Sequence, residues 1–125
     1  MEVYTHIENQ IKSLGESEVY IASYNDDYDN IVSINYYEGK QDTEIAFGKE
    51  VVVRHIGLQM FVRDTSFESG YARAEAIRSL FAAYKYQVLD IIQKGDILPL
   101  GNDDKNRSEF TINFDMKLIG GSTVT

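Results

Sequence analysis

Apolar side chains recur along this chain with two periods, and the switches between them mark the elements. Val3, Ile7, Ile11 and Leu14 fall four, four and three residues apart, the stripe of a first helix that Gly15 can end. Val19 to Tyr24 and Ile31 to Tyr37 are rich in β-branched and aromatic residues and predict two neighbouring strands. The polar run Asn25-Asp26-Asp27-Tyr28-Asp29-Asn30 between them predicts a loop. Glu38 to Lys49 contains two glycines and mixed charge without a period, so a long loop is expected there.

The second half is more strongly patterned. Ile56, Leu58, Met60 and Val62 alternate with Gly57, Gln59, Phe61 and Arg63, the period of a strand with one core face. Thr65-Ser66-Phe67-Glu68 has the form of a capping box, with Thr65 and Glu68 satisfying each other's amides. Phe67, Tyr71, Ala74, Ile77, Phe81 and Tyr84 follow at helical spacing, which predicts a helix from Ser66 to about Tyr84. Gln87 to Gln93 and Asp96 to Leu100 are strand material broken at Lys94-Gly95, before the polar turn of residues 101–106. In the last strand Phe110, Ile112, Phe114, Met116 and Leu118 share one face, while Thr111, Asn113, Asp115 and Lys117 share the other. Helix, strands, helix, strands predicts an α+β fold: a mostly antiparallel twisted sheet with two helices packed on one face, all in one domain over residues 1–125.

Composition narrows what such a fold can do. With no cysteine there is neither a disulfide framework nor a thiolate metal site. No apolar run approaches the ~20 residues that span a bilayer, and the acidic start Met1-Glu2-Val3-Tyr4 predicts no signal peptide. The net charge of −8 lies in residues 1–50, which hold 11 acidic and 3 basic residues, whereas residues 51–125 hold 9 of each. Such a surface disfavours holding nucleic acid, because binding phosphates requires Lys and Arg to displace counterions. It still allows a surface past which DNA slides.

Catalysis needs a nucleophile beside a base, paired carboxylates in a cleft, or a metal. His6 and His55 are the only histidines, and no Gly-x-Ser-x-Gly turn exposes a serine. Asp26, Asp27 and Asp29 are the best cation candidates, yet they lack the alternation and closing Glu of a calcium loop, and Asn102, Asp103 and Asp104 lack them too. Solvated loops account better for both groups. Arg54, Arg63, Arg73, Arg78 and Arg107 are expected on solvated faces in ordinary ion pairs, or as partners of acids on a neighbouring subunit.

Two blocks carry a resemblance. Gly57-Leu58-Gln59-Met60-Phe61-Val62-Arg63-Asp64, followed by Phe67, Tyr71, Ala74 and Ile77, resembles the minor capsid or tail terminator family of long-tailed, siphovirus-like bacteriophages and prophages. Leu100-Gly101-Asn102-Asp103-Asp104-Lys105-Asn106-Arg107, then Glu109-Phe110-Thr111-Ile112-Asn113-Phe114, is similar to that family's Gly-Arg-Asp turn, arginine and Phe-x-x-Asn-Phe strand, with Asn102 where the turn often has arginine. Membership implies a non-enzymatic virion protein in the tail or neck, assembled in the bacterial host cytoplasm. It implies a homo-oligomeric ring of six that caps the tail tube protein and meets the head-completion or connector protein, without cofactor, membrane or sequence-specific nucleic acid. A head-completion or tail-tube component is the alternative within the virion, and a small-ligand-binding α+β module the alternative outside it.

Size is consistent with a ring. A 125-residue globule is a sphere of about 18 Å radius; six touching spheres leave a hole of about 36 Å and three leave about 5 Å, against about 20 Å for duplex DNA. The acidic first half, including Asp26, Asp27 and Asp29, is expected to face that lumen or an adjoining ring, where like charge keeps DNA from sticking. Arg63, Asp103, Asp104 and Arg107 join them as interface candidates. So do Asn113, Asp115 and Lys117, in an outward row with Thr111, and a sheet edge offered to the next subunit.

Overall fold

A computed structural model describes residues 2–46 and 49–119. Helix α1 (Val3–Lys12) leads to strand β1 (Val19–Ile21), then β2 (Ile31–Ala46) and β3 (Lys49–Asp64). Helix α2 (Phe67–Phe81) is followed by β4 (Ala83–Tyr86), β5 (Leu89–Gln93), β6 (Leu98–Asn102) and β7 (Ser108–Ile119). The strands form one sheet in the order β1-β2-β3-β7-β5-β4, with β6 on β7. Among the described residues only β1 and β2 run parallel. The α+β architecture and its mostly antiparallel sheet are as expected.

β7 is the axis of the sheet. One of its edges pairs with β3 from Val53↔Ile119 to Asp64↔Ser108. The other is shared between β5, opposite Phe114 to Leu118, and β6, opposite Ser108 to Thr111. In register, Val32, Val62 and Phe110 stand side by side, as do Ile34, Met60 and Ile112, so the alternation of three strands adds up to one apolar face. Onto it α1 brings Val3, Tyr4, Ile7 and Ile11, and α2 brings Ala74, Ile77 and Phe81, all in one buried cluster. Helix α1 reaches across the strands, stacking Tyr4 on Tyr36 of β2 and His6 on Tyr86 of β4.

Four local expectations are corrected. Residues 38–46 and 49 are strand rather than loop: β2 and β3 form a long hairpin whose pairs from Thr43↔Val52 to Ala46↔Lys49 lie beyond the last β3–β7 pair. The backbone ladder sets this extension, so no core-facing alternation announces it. Helix α2 stops at Phe81 with a cap at Ala82, and Tyr84 belongs to β4, opposite Ile91. Its N-cap is Ser66, whose hydroxyl accepts from the Ser69 amide, while Thr65 donates to Asp64. Leu14 lies past the end of α1 and is exposed.

Candidate assembly surface

Arginines organise the charged surface at two places. Arg63 extends from β3, and Arg107 from the residue just before β7, beneath the loop of residues 22–30, and both are almost fully buried. Arg63 Nη2 donates to the carbonyls of Asn25 at 2.7 Å and Tyr28 at 2.5 Å. Arg107 Nη1 donates to the carbonyls of Asp26 at 3.1 Å and Tyr28 at 3.3 Å, and its Nη2 to Asp26 Oδ1 at 2.5 Å. Asp103 fixes Arg107 by accepting from its backbone amide and from Nε, each at 2.8 Å. Lys105 completes the group with a 2.6 Å bond to Asp26 Oδ2. A polar loop that would otherwise be free to sample conformations is thereby held by charge-assisted bonds to its own carbonyls.

The electrostatics follow the geometry. Hydrogen bonds from Lys105 and Arg107 hold the Asp26 carboxyl down to about 2, and the bonds from Arg107 and Lys105 also lower Asp103. Burial, with Asp103 close by, raises Glu109. Asp29 lies 3.6 Å from Arg107. Of the predicted residues, then, Asp26, Asp29, Arg63, Asp103 and Arg107 meet in one cluster. Asp27 and Asp104 are exposed beside it. The expectation that Arg63 and Arg107 lie on solvated faces is corrected: their guanidiniums are needed under the loop because its carbonyls find no strand partner there.

The outward row of β7 is also different from expectation. Thr111 is buried, standing in register between Phe61 and Leu98, because β7 is central to the sheet. Asn113 accepts from Gln59 Nε2 at 3.1 Å, and Asp115 lies 4.0 Å from Lys94. Lys117 sits in register between His55 and Asp90.

A second arginine centre was not anticipated as such. Arg73 of α2 donates to Glu16, after α1, with Nε at 2.9 Å and Nη2 at 2.5 Å, and to Asp64 Oδ2 at 3.0 Å. Asp64 also accepts from Ser69 Oγ at 2.8 Å and the Ser66 amide at 3.2 Å. Burial alone would raise the Asp64 carboxyl, but the bonds from Arg73, Ser69 and Ser66 outweigh it and hold the group below its ordinary value. The signal available in the sequence was the place of Arg73 next to Ala74, on the flank of the buried stripe of α2. Among the described residues no group of three or more His, Asp or Glu could hold a metal ion.

Residues 7–118, from the middle of α1 to nearly the end of β7, match the model of a family described as bacteriophage tail terminator protein. The chain belongs to that family. It is accordingly a structural protein of phage-type virions, and the arginine clusters belong to a terminator-family fold. A chain in the virion of a native gene transfer agent particle shares the fold, with a TM-score of 0.52 at 12% identity over 88% of this chain and 84% of that one. No curated protein sequence matches.

Proposed function

We propose that this protein is a tail terminator that closes the head-proximal end of a phage tail, as a ring of copies that caps the tube and receives the head connector. The family match carries the proposal, because residues 7–118 take in nearly every element of the fold. The open edges of the sheet support it. β1 covers only Val32 to Ile34 of β2, so from Asn35 onward the outer edge of β2 has no partner strand among the described residues, and β4 closes the opposite end. Open edges are places where a neighbour can add a strand.

In this reading the ring has six members, wide enough for DNA, its partners are the tail tube and connector proteins, and its work is done by contacts rather than by a catalytic group. Deleting the gene and imaging the particles tests the assignment. A terminator leaves overlong tails that fail to join heads, and supplying the protein restores uniform length. Tails of normal length accumulating beside unjoined heads would move the protein to a head-completion station instead.

A further inference from the structure

Among the described residues, lysines outnumber acids at one end of the open face of the sheet and acids outnumber bases at the other. At one end the register places Lys40 of β2, His55 of β3, Lys117 of β7, Asp90 of β5 and Lys85 of β4 in a row across five strands. Part of that row lines a concavity of about 570 Å³, with Lys94 and Asp115 beside it. Gly57 makes the hollow possible, since a Cβ there would lie 2.6 Å from the Tyr37 ring. The other end lies eight residues along β3 and β7, about 26 Å away at ~3.3 Å per residue. There the clamped loop and its neighbours bring together Asp26, Asp27, Asp29, Asp103, Asp104 and Glu109 against Arg63, Lys105 and Arg107.

We propose that the arginine-clamped acidic end of one copy docks into the lysine-lined concavity of the next, making ring closure head to tail. The inference rests on the ring proposed above and adds which surfaces meet. A closed ring requires two different patches on each subunit, and these two differ in sign. Like ends repel, which disfavours contacts that pair two acidic ends or two lysine ends. The loop is held by buried arginines before it meets a partner, so little ordering is lost on docking. Duplex DNA fits the concavity less well, because the chain is acidic overall and offers too few lysines there to displace many counterions.

The absence of cysteine gives a direct test on the full chain. In Asp27→Cys/Lys40→Cys the two thiols are too far apart to join within one chain, since a disulfide needs Cα atoms within about 7 Å. Mild oxidation should give a ladder ending in a closed covalent ring, about tenfold above the control Asp27→Cys/Ala76→Cys, and the yield should fall with salt. Equal yields, or dimers alone, overturn the proposal. Charge reversal sharpens it: Lys40→Glu/Lys117→Glu and Asp27→Lys/Asp104→Lys should each fail to close alone, yet mix into alternating rings of even number, with circular dichroism confirming that both fold. If either variant closes alone, the docking mode is wrong while the ring stands. If neither native mass spectrometry nor cross-linking detects a ring, even with isolated tail tubes present, the ring itself fails. Duplex binding by the native chain that is lost in Lys40→Glu/Lys117→Glu would reassign the concavity to DNA.

Discussion

The two arginine centres use the same chemistry for different ends. Around Arg73 the carboxylates are as hidden as the cation: Asp64 is 2% exposed and Glu16 11%. Around Arg107 the cation is 3% exposed and Asp103 14%, while Asp26 and Asp29 are 58% and 64% exposed. The first centre ties the segment after α1 to the junction of β3 and α2, and little of it meets water. The second shapes a loop and leaves Asp26 and Asp29 at the surface. Burial of both partners makes an ion pair structurally indispensable once formed, whereas burial of one leaves the other available to a neighbour.

The largest effect should come from removing Arg73. Arg73→Ala strands Asp64 and Glu16 without their cation, and breaking a buried pair from one side costs about 3–5 kcal/mol. Urea unfolding should show a midpoint lowered accordingly. A loss below about 1 kcal/mol would mean that the centre is as dispensable as a surface pair.

Gly70 tests how tightly that same corner is packed. In an ordinary helix Gly→Ala gains about 1 kcal/mol. Here a Cβ would lie 2.6 Å from the Phe110 ring and 3.0 Å from Asp64 Cβ, and Phe110 is fully buried. Gly70→Ala should therefore destabilise, within the range of about 1–3 kcal/mol for overpacking. Thermal unfolding reads the sign directly.

Arg107→Ala addresses the second centre. Hydrogen exchange should accelerate at the amides of residues 22–30, with a smaller shift of the global midpoint than Arg73→Ala produces. Equal global shifts would erase the distinction between a centre that holds the fold and one that shapes a surface.

What could be read from the sequence follows from the same physics. The strands under the helices were legible because Ile56 to Val62 and Phe110 to Leu118 each face a core on one side and alternate accordingly. The hairpin beyond them was not, because its pairing is set by the backbone ladder. The helix stripe ran on to Tyr84 because β4 begins two residues after α2 ends and keeps an aromatic in phase. The residues of the loop cluster other than Lys105 were singled out, since acids in a turn and an arginine before a strand are conspicuous. Their convergence was not, because Asp26 and Arg107 are 81 residues apart and meet only through the pairing of β2, β3 and β7.

The smallest effects should come from pH, and they separate the two sides of the sheet. Asp26 has a folded value of about 2, below its ordinary 3.8, so its contribution is complete above pH 4 and is lost as pH falls through 2. Asp64 is lowered too, so acid loosens both centres. Near neutrality the helix layer responds. Burial lowers His6, whose Nε2 lies 2.7 Å from the Tyr84 hydroxyl and whose ring stacks on Tyr86. The unfolded chain therefore takes up its proton first, and the stability that the neutral ring contributes, present above about 6.5, declines as pH falls through the lowered folded value. Between pH 7 and 5, thermal unfolding should soften slightly and the amides of α1 and β4 should shift, while those of residues 22–30 stay still. His6→Gln should flatten the slope. Loop amides that move in the same window would show that the layers are coupled through the sheet, and that the two centres do not act separately.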